Sequence, residues 1–183
     1  GNMVAATLSI NYPFGSGFVV PGTGVLLNDE MDDFAAKPNS PNGYGLVGGQ
    51  ANKIEPSKRM LSSMSPTIIE YGDRVAVLGT PGGSRIITMV LLAILDFRAG
   101  GDAASMTRLP RFHHQFLPDQ IQFEQGALDR NMQLELQLLG HEVEEMQRQY
   151  GNMQVVVWDQ ATGKVDAASD PRGLGKADLG SYQ

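Results

Sequence analysis

The chain has 183 residues, of which 42% are hydrophobic and 19% charged, a balance that can bury a core and excludes a disordered tail. Fourteen Lys and Arg against 20 Asp and Glu give a formal charge of −6, with no electrostatic footprint for nucleic acid or an anionic membrane. Cysteine is absent, which excludes a disulfide framework, a thiol nucleophile and thiolate metal ligands.

The longest apolar stretch, Ile86 to Phe97, falls short of the roughly 20 residues that span a bilayer, so no membrane insertion by this chain is expected. The start shows no basic segment followed by an apolar one. It opens directly in strand-like sequence, so residues 1–183 read as a single partial domain entered mid-fold.

Val4 to Ile10 predicts a strand, from its β-branched residues and Ser/Thr alternation. Gly15 to Gly24 is a glycine-rich turn region that leads to the apolar run Val25-Leu26-Leu27. Residues 35–60 carry Pro38, Pro41 and Pro56 with Gly43, Gly45, Gly48 and Gly49, a long loop of the kind that forms a lid or binding loop. Thr67 to Glu70 and Arg74 to Leu78 alternate around Tyr71-Gly72-Asp73 and predict a hairpin. Ser84, a cap-type residue after Gly82-Gly83, is expected to start a helix in which Ile86, Ile87, Val90, Leu91 and Ile94 recur at helical spacing. Ala103 to Leu109 predicts a short helix ended by Pro110, and Leu128 to Leu139 an amphipathic one stopped by Gly140. Val143 to Met146, Gln154 to Trp158 and Val165 to Ala168 predict strands, the last two joined by the turn Asp159–Gly163. Strands, helices and strands again predict an α+β fold with a largely antiparallel sheet.

Four segments carry candidate chemistry. Leu61-Ser62-Ser63-Met64-Ser65-Pro66-Thr67 offers small hydroxyls and backbone amides suited to a carboxylate, and also reads as a Ser-rich turn. Pro81-Gly82-Gly83-Ser84-Arg85 exposes backbone N–H groups before a helix start, an anion or oxyanion site or a simple glycine turn. It lacks the GxGxxG spacing and the Walker Lys, which disfavours dinucleotide and P-loop readings. Asn28 to Phe34 places four carboxylates in five residues, an ammonium-binding cluster or an exposed acidic turn; EF-hand spacing is absent. His113-His114 on a strand point to opposite faces, so they are poor joint ligands and no metal site is expected.

In order and spacing, these segments and several others resemble one family. Thr7-Leu8-Ser9-Ile10-Asn11, Phe14-Gly15-Ser16-Gly17, Gly24 to Phe34, Tyr44 to Gly49, Leu61 to Thr67, Pro81 to Arg85, Pro110 to Gln115 and Ala168 to Arg172 together resemble the small, C-terminal subunit of gamma-glutamyltransferases (gamma-glutamyl transpeptidases). The resemblance runs the length of the chain. It implies an N-terminal-nucleophile hydrolase, an αββα sandwich built jointly with a large subunit of the same precursor. Here that fold would be partial, with the first strand segment absent. The family's precursor cleaves itself, and the freed N-terminal Thr of the small subunit attacks the gamma-glutamyl amide.

Residue by residue, the resemblance makes Ser9 the hydroxyl that supports the nucleophile, where the family usually has Thr. Asn11, Glu30 and Asp33 match the α-ammonium site, Ser62 and Ser63 the α-carboxylate site, and Gly82 and Gly83 the oxyanion hole. Pro38 to Gly49, with Tyr44, resembles the lid, whose presence favours a transpeptidase over cephalosporin acylases. The nucleophilic Thr is expected upstream of Gly1, and an Arg gripping the α-carboxylate belongs to the large subunit. The resemblance thus implies cleavage of gamma-glutamyl amides such as glutathione, with transfer to water or an amino-acid or peptide acceptor, no cofactor, and a periplasmic or extracellular location. The chain alone is expected to be inactive and to self-associate. The alternatives are a related acylase or amidase and a non-catalytic binding homologue.

Overall fold

The computed structural model describes residues 1–180. Two compact units are present: Gly1–Thr7 with the chain from Met64 onward, and Leu8–Ser63.

The larger unit is built on a four-stranded antiparallel sheet in the order β1-β2-β6-β7, from β1 (Thr67–Tyr71), β2 (Arg74–Gly79), β6 (Gln154–Asp159) and β7 (Val165–Ser169). The predicted hairpin is present, with Tyr71 opposite Arg74 and Gly72 at φ 60, a conformation that a glycine adopts without strain. Helix α1 (Ile86–Arg98) buries Ile86, Met89, Val90, Ala93 and Phe97. These pack with Ala76 and Leu78 of β2, Val155 and Val157 of β6, and Ala103 and Met106 of α2 (Ala103–Arg108). Each fully buried side chain of this size contributes about 1.5–3 kcal/mol through the hydrophobic effect. The opposite stripe of α1, Ile87, Leu91 and Leu95, is exposed.

A second, three-stranded sheet holds β3 (Phe112–His113), β4 (Ile121–Phe123) and β5 (Val143–Glu145). β3 and β4 are antiparallel, whereas β4 and β5 run parallel across the connection that contains α3 (Arg130–Leu138). Asp129 caps α3, its Oδ1 accepting from the Met132 amide at 2.8 Å. Ile121, Phe123 and Leu128 form a small separate core.

Two expectations need correcting. Val4 to Ile10 forms no strand: Met3, Ala5 and Thr7 are half-buried and alternate with exposed neighbours, but the segment joins no ladder among the described residues. The alternation encodes the pleat, and pairing requires a partner edge. Ser84 does not cap α1 either. It lies inside a 3-10 turn, Gly83–Arg85, and its hydroxyl donates to Gln115 Oε1 at 2.6 Å. Among the described residues no helix is long and apolar enough to cross a membrane.

Candidate active site

The unit Leu8–Ser63 is almost free of regular structure, so side-chain-to-backbone hydrogen bonds set its shape. Asn11, at φ 67, donates through Nδ2 to the Asp29 carbonyl at 3.3 Å. The Asp29 amide donates to the Ile10 carbonyl at 3.3 Å, and Asp29 Oδ1 accepts from the Tyr12 amide at 3.1 Å. These contacts hold Asn11 beside a 3-10 turn, Glu30–Asp33, in which Glu30, Asp32 and Asp33 crowd together. Ser9, just upstream, accepts the Asn11 amide on its Oγ at 2.8 Å.

Among the described residues no Lys or Arg forms an ion pair with Asp29, Glu30, Asp32 or Asp33; Lys53 and Lys58 are engaged with Glu55. Partial burial is the main force that pushes the Asp33 carboxyl up to about 6. A hydrogen bond with Glu30 and the charges of Glu30, Asp32 and Asp29 add to it. Burial and the neighbouring Asp32 likewise push Tyr12 up to about 12. The turn is therefore an uncompensated anionic site, and an ammonium is the group it would stabilise.

Tyr44 reaches the same turn. The segment from Pro41 to Val47 closes on itself by a bridge between those two residues, and Asn42 Oδ1 accepts the amides of Tyr44 and Leu46, both at 3.0 Å. The Tyr44 ring stacks on Tyr12, with centroids 5.1 Å apart and planes 13° from parallel. Burial, followed by the Asp33 charge, raises the Tyr44 hydroxyl above its ordinary value.

One residue that the sequence reading missed joins this turn to the serine segment. Asn52 donates through Nδ2 to the Asp33 carbonyl at 2.8 Å and accepts the Leu61 amide on Oδ1 at 3.1 Å. Its own carbonyl accepts the Ala35 amide at 2.8 Å. A single side chain thus ties the Asp33 backbone to the residue preceding Ser62, which is exposed, and Ser63, which is half-buried. No local signal marks Asn52, since an Asn in a Gly/Pro-rich loop reads as a turn residue.

Gly82 and Gly83 belong to the other unit and form their own turn. Gly82 has φ 151 and Gly83 φ 58, values that side chains rarely allow, and a Cβ on Gly82 would lie 2.5 Å from Met89 Cε. The Arg85 amide donates to the Gly82 carbonyl at 3.2 Å, and α1 begins immediately afterwards. The glycine pair thus stands at the positive end of a 13-residue helix. The two adjacent histidines diverge: buried His113 contacts Thr88 and Gln115, while His114 faces Asp119 at 3.0 Å.

A second group that sequence reading left without a role is a buried ion network. Arg111 and Arg172 both pair with Asp170, and Arg172 pairs with Glu124 at 2.7 Å, all four side chains being almost wholly buried. Asp170 stays below its ordinary value, because hydrogen bonds from the Met153 and Arg172 amides and the Arg111 charge outweigh its desolvation.

The sequence matches the gamma-glutamyltranspeptidase family model over residues 1–179. The chain belongs to this family. It is 46% identical over 176 residues to a glutathione hydrolase proenzyme of Escherichia coli K12, covering 95% of this chain and 30% of that protein. It is 48% identical over 182 residues to a glutathione hydrolase proenzyme of Pseudomonas aeruginosa, covering 96% of this chain and 32% of the relative. This gamma-glutamyltranspeptidase family chain therefore spans about a third of the length of those curated relatives. Its structure superposes on the gamma-glutamyltranspeptidase of Pseudomonas nitroreducens complexed with L-DON with a TM-score of 0.88 at 42% identity, covering 99% of this chain and 95% of that one. The transpeptidase CapD of Bacillus anthracis, at 21% identity, shares the fold, with a TM-score of 0.71 over 96% of this chain and 92% of that one. The family chain thus has the α+β, N-terminal-nucleophile hydrolase fold anticipated from its motifs.

Proposed function

We propose that this chain forms the gamma-glutamyl-binding and oxyanion-stabilising part of a gamma-glutamyltransferase. The complete protein would cleave gamma-glutamyl amides such as glutathione and pass the glutamyl group to water or to an amino-acid or peptide acceptor. The observation that carries this reading is the Glu30–Asp33 turn, which with Asp29 gathers four carboxylates with no ion-paired Lys or Arg among the described residues and holds the Asp33 carboxyl near 6. Such a turn favours a cationic group, and the substrate's α-ammonium supplies one.

In this reading Glu30 and Asp33 hold the ammonium, with Asn11 beside them and the Tyr44 segment as the lid. Ser62 and Ser63 receive the α-carboxylate, completing a two-ended grip that orients the gamma-carbonyl. The N–H groups of the Gly82–Gly83 turn stabilise the charge that develops on the carbonyl oxygen. An N-terminal Thr is the nucleophile, supported by the Ser9 hydroxyl, with its own α-amine as base. Attack gives a tetrahedral intermediate; the amine leaves with a proton, and water or an acceptor amine then releases the acyl group from Thr. We assign the nucleophile to no residue of this chain: Thr7 Oγ1 is buried and has no hydrogen-bond partner. The large subunit of the same precursor is the proposed partner, and the periplasm or cell exterior the proposed location.

The test is hydrolysis of a gamma-glutamyl anilide by the matured full-length protein. Turnover of about 1–1,000 per second, increased by a dipeptide acceptor and absent with the α-glutamyl isomer, is expected. Equal cleavage of both isomers, or of neither, would overturn the assignment. Residues 1–183 alone should give no turnover.

A further inference from the structure

We propose that Ser84, Gln115 and His113 are positioning residues that lock the Gly82–Gly83 turn in its oxyanion-binding geometry. The inference rests on the proposed role of that turn.

Two successive glycines have no side chains with which to anchor themselves, and glycine has the most backbone freedom to lose. Gly82, at the N-cap position, offers no side-chain cap, and the residues on the C-terminal side of the turn contribute to its order. The first side chain after the glycines is that of Ser84, which is buried. Its hydroxyl donates to Gln115 Oε1 at 2.6 Å, reaching a residue 31 positions away. The same oxygen contacts His113 Nε2 at 2.8 Å, and Gln115 Nε2 donates to the Leu117 carbonyl at 2.9 Å.

The proton positions follow from chemistry. A carbonyl can only accept, so the Gln115 amide nitrogen must face Leu117, which turns Oε1 toward Ser84 and His113. Oε1 can only accept as well, so His113 carries its proton on Nε2. Burial first, and then the positive charges of Arg85 and His114, hold the imidazole below its ordinary pKa, in the neutral form. Its Nδ1 is then an acceptor for the Thr88 hydroxyl at 2.9 Å, which also faces the Arg85 carbonyl at 3.1 Å and divides its one proton between the two.

Ser84 and Thr88 lie four residues apart, at the 3-10 turn and on the first turn of α1. The links Ser84–Gln115–His113–Thr88 therefore form a closed clamp around the helix start, with His113 supplied by β3. The clamp is neutral, so it orders the turn without placing a charge beside the developing oxyanion. Preorganised donors of this kind act mainly in the transition state.

The test uses Ser84→Ala, Gln115→Leu and the double variant in the matured full-length protein. Ser84→Ala removes one oxygen and is the variant expected to fold without difficulty. Each single variant should lower kcat for a gamma-glutamyl anilide by about 5- to 30-fold, the cost of loosening one buried hydrogen-bonded link, with KM within about two-fold. Affinity for a gamma-boronate analogue of glutamate, which presents a tetrahedral anion, should fall in proportion, while affinity for glutamate itself should not. The double variant should be no slower than the slower single one, because both break the same link. Additive losses, or a raised KM at unchanged kcat, would overturn the proposal. Gly82→Ala separates the two levels of inference. If it lowers kcat and boronate affinity while Ser84→Ala leaves both intact, the turn binds the oxyanion and the clamp does not position it. If Gly82→Ala also leaves both intact, the oxyanion assignment fails, and the clamp proposal with it.

Discussion

Replacing Asp33 with Asn tests the ammonium site at constant shape. The amide keeps an oxygen for the ammonium and loses the charge. A hydrogen bond to a charged group is worth about 1.5–3 kcal/mol. Asp33 is only partly buried, and the substitution leaves Glu30 in place beside it, so the lower end of that range applies. About 1.5–2 kcal/mol corresponds to a fall in kcat/KM of about 10- to 30-fold. The pH dependence gives a second signature. Because the Asp33 carboxyl sits at about 6, wild-type substrate affinity should strengthen as pH rises through that value and the ammonium meets a carboxylate. The variant should lack this step. Stability of the ligand-free protein should move the other way. A carboxyl raised from 3.8 to about 6 on folding favours the folded state at low pH, and that contribution is lost as pH rises through about 6. The assay is anilide hydrolysis by the matured full-length protein from about pH 5 to 8, with subunit maturation followed on a gel. A variant that matures normally and keeps wild-type kcat/KM at neutral pH would refute the reading of the acidic turn as a site.

The buried ion network makes a stability prediction. Arg172→Met strands Glu124 and half of Asp170 without their partner, so denaturant titration should show a loss of about 3–5 kcal/mol, and a loss under about 1 kcal/mol would show that water or repacking compensates. The exposed apolar stripe Ile87, Leu91 and Leu95 predicts that residues 1–183 expressed alone self-associate; a monomer by light scattering across concentrations contradicts this, and Leu91→Glu should reduce the association.

The hairpin of β1 and β2 and helix α1 were legible because their signals are local: alternation around Gly72 in one case, apolar residues at helical spacing in the other. The acidic turn was legible as composition, and its lack of a counter-charge became visible only in three dimensions. Val4 to Ile10 failed as a strand because alternation does not specify a ladder partner. Ser84 was misjudged for the opposite reason, since a local cap motif lost to a distant acceptor on Gln115. The ions Arg111, Glu124, Asp170 and Arg172 gave no sign of burial, because the pairs Arg172–Glu124 and Arg111–Asp170 bridge separations of 48 and 59 residues. In a linear reading they are ordinary surface charges.

Glu124 gives that network a consequence for how the larger unit opens. Among the described residues the main core has twelve buried members, whereas the small sheet rests on three, Ile121, Phe123 and Leu128. By itself so small a cluster would breathe independently, and its amides would exchange with solvent long before those of β2. Glu124 stands one residue beyond β4, accepts the Arg111 and Tyr150 amides, and is gripped by Arg172. Its anchor partners reach the main core through Asp170 and the Met153 amide. The ion pairs thus couple a weak foldon to a strong one, so that the small sheet cannot open without breaking buried charges apart. β3, with His113, pairs with β4 and so shares in that protection, although it is an edge strand of two residues.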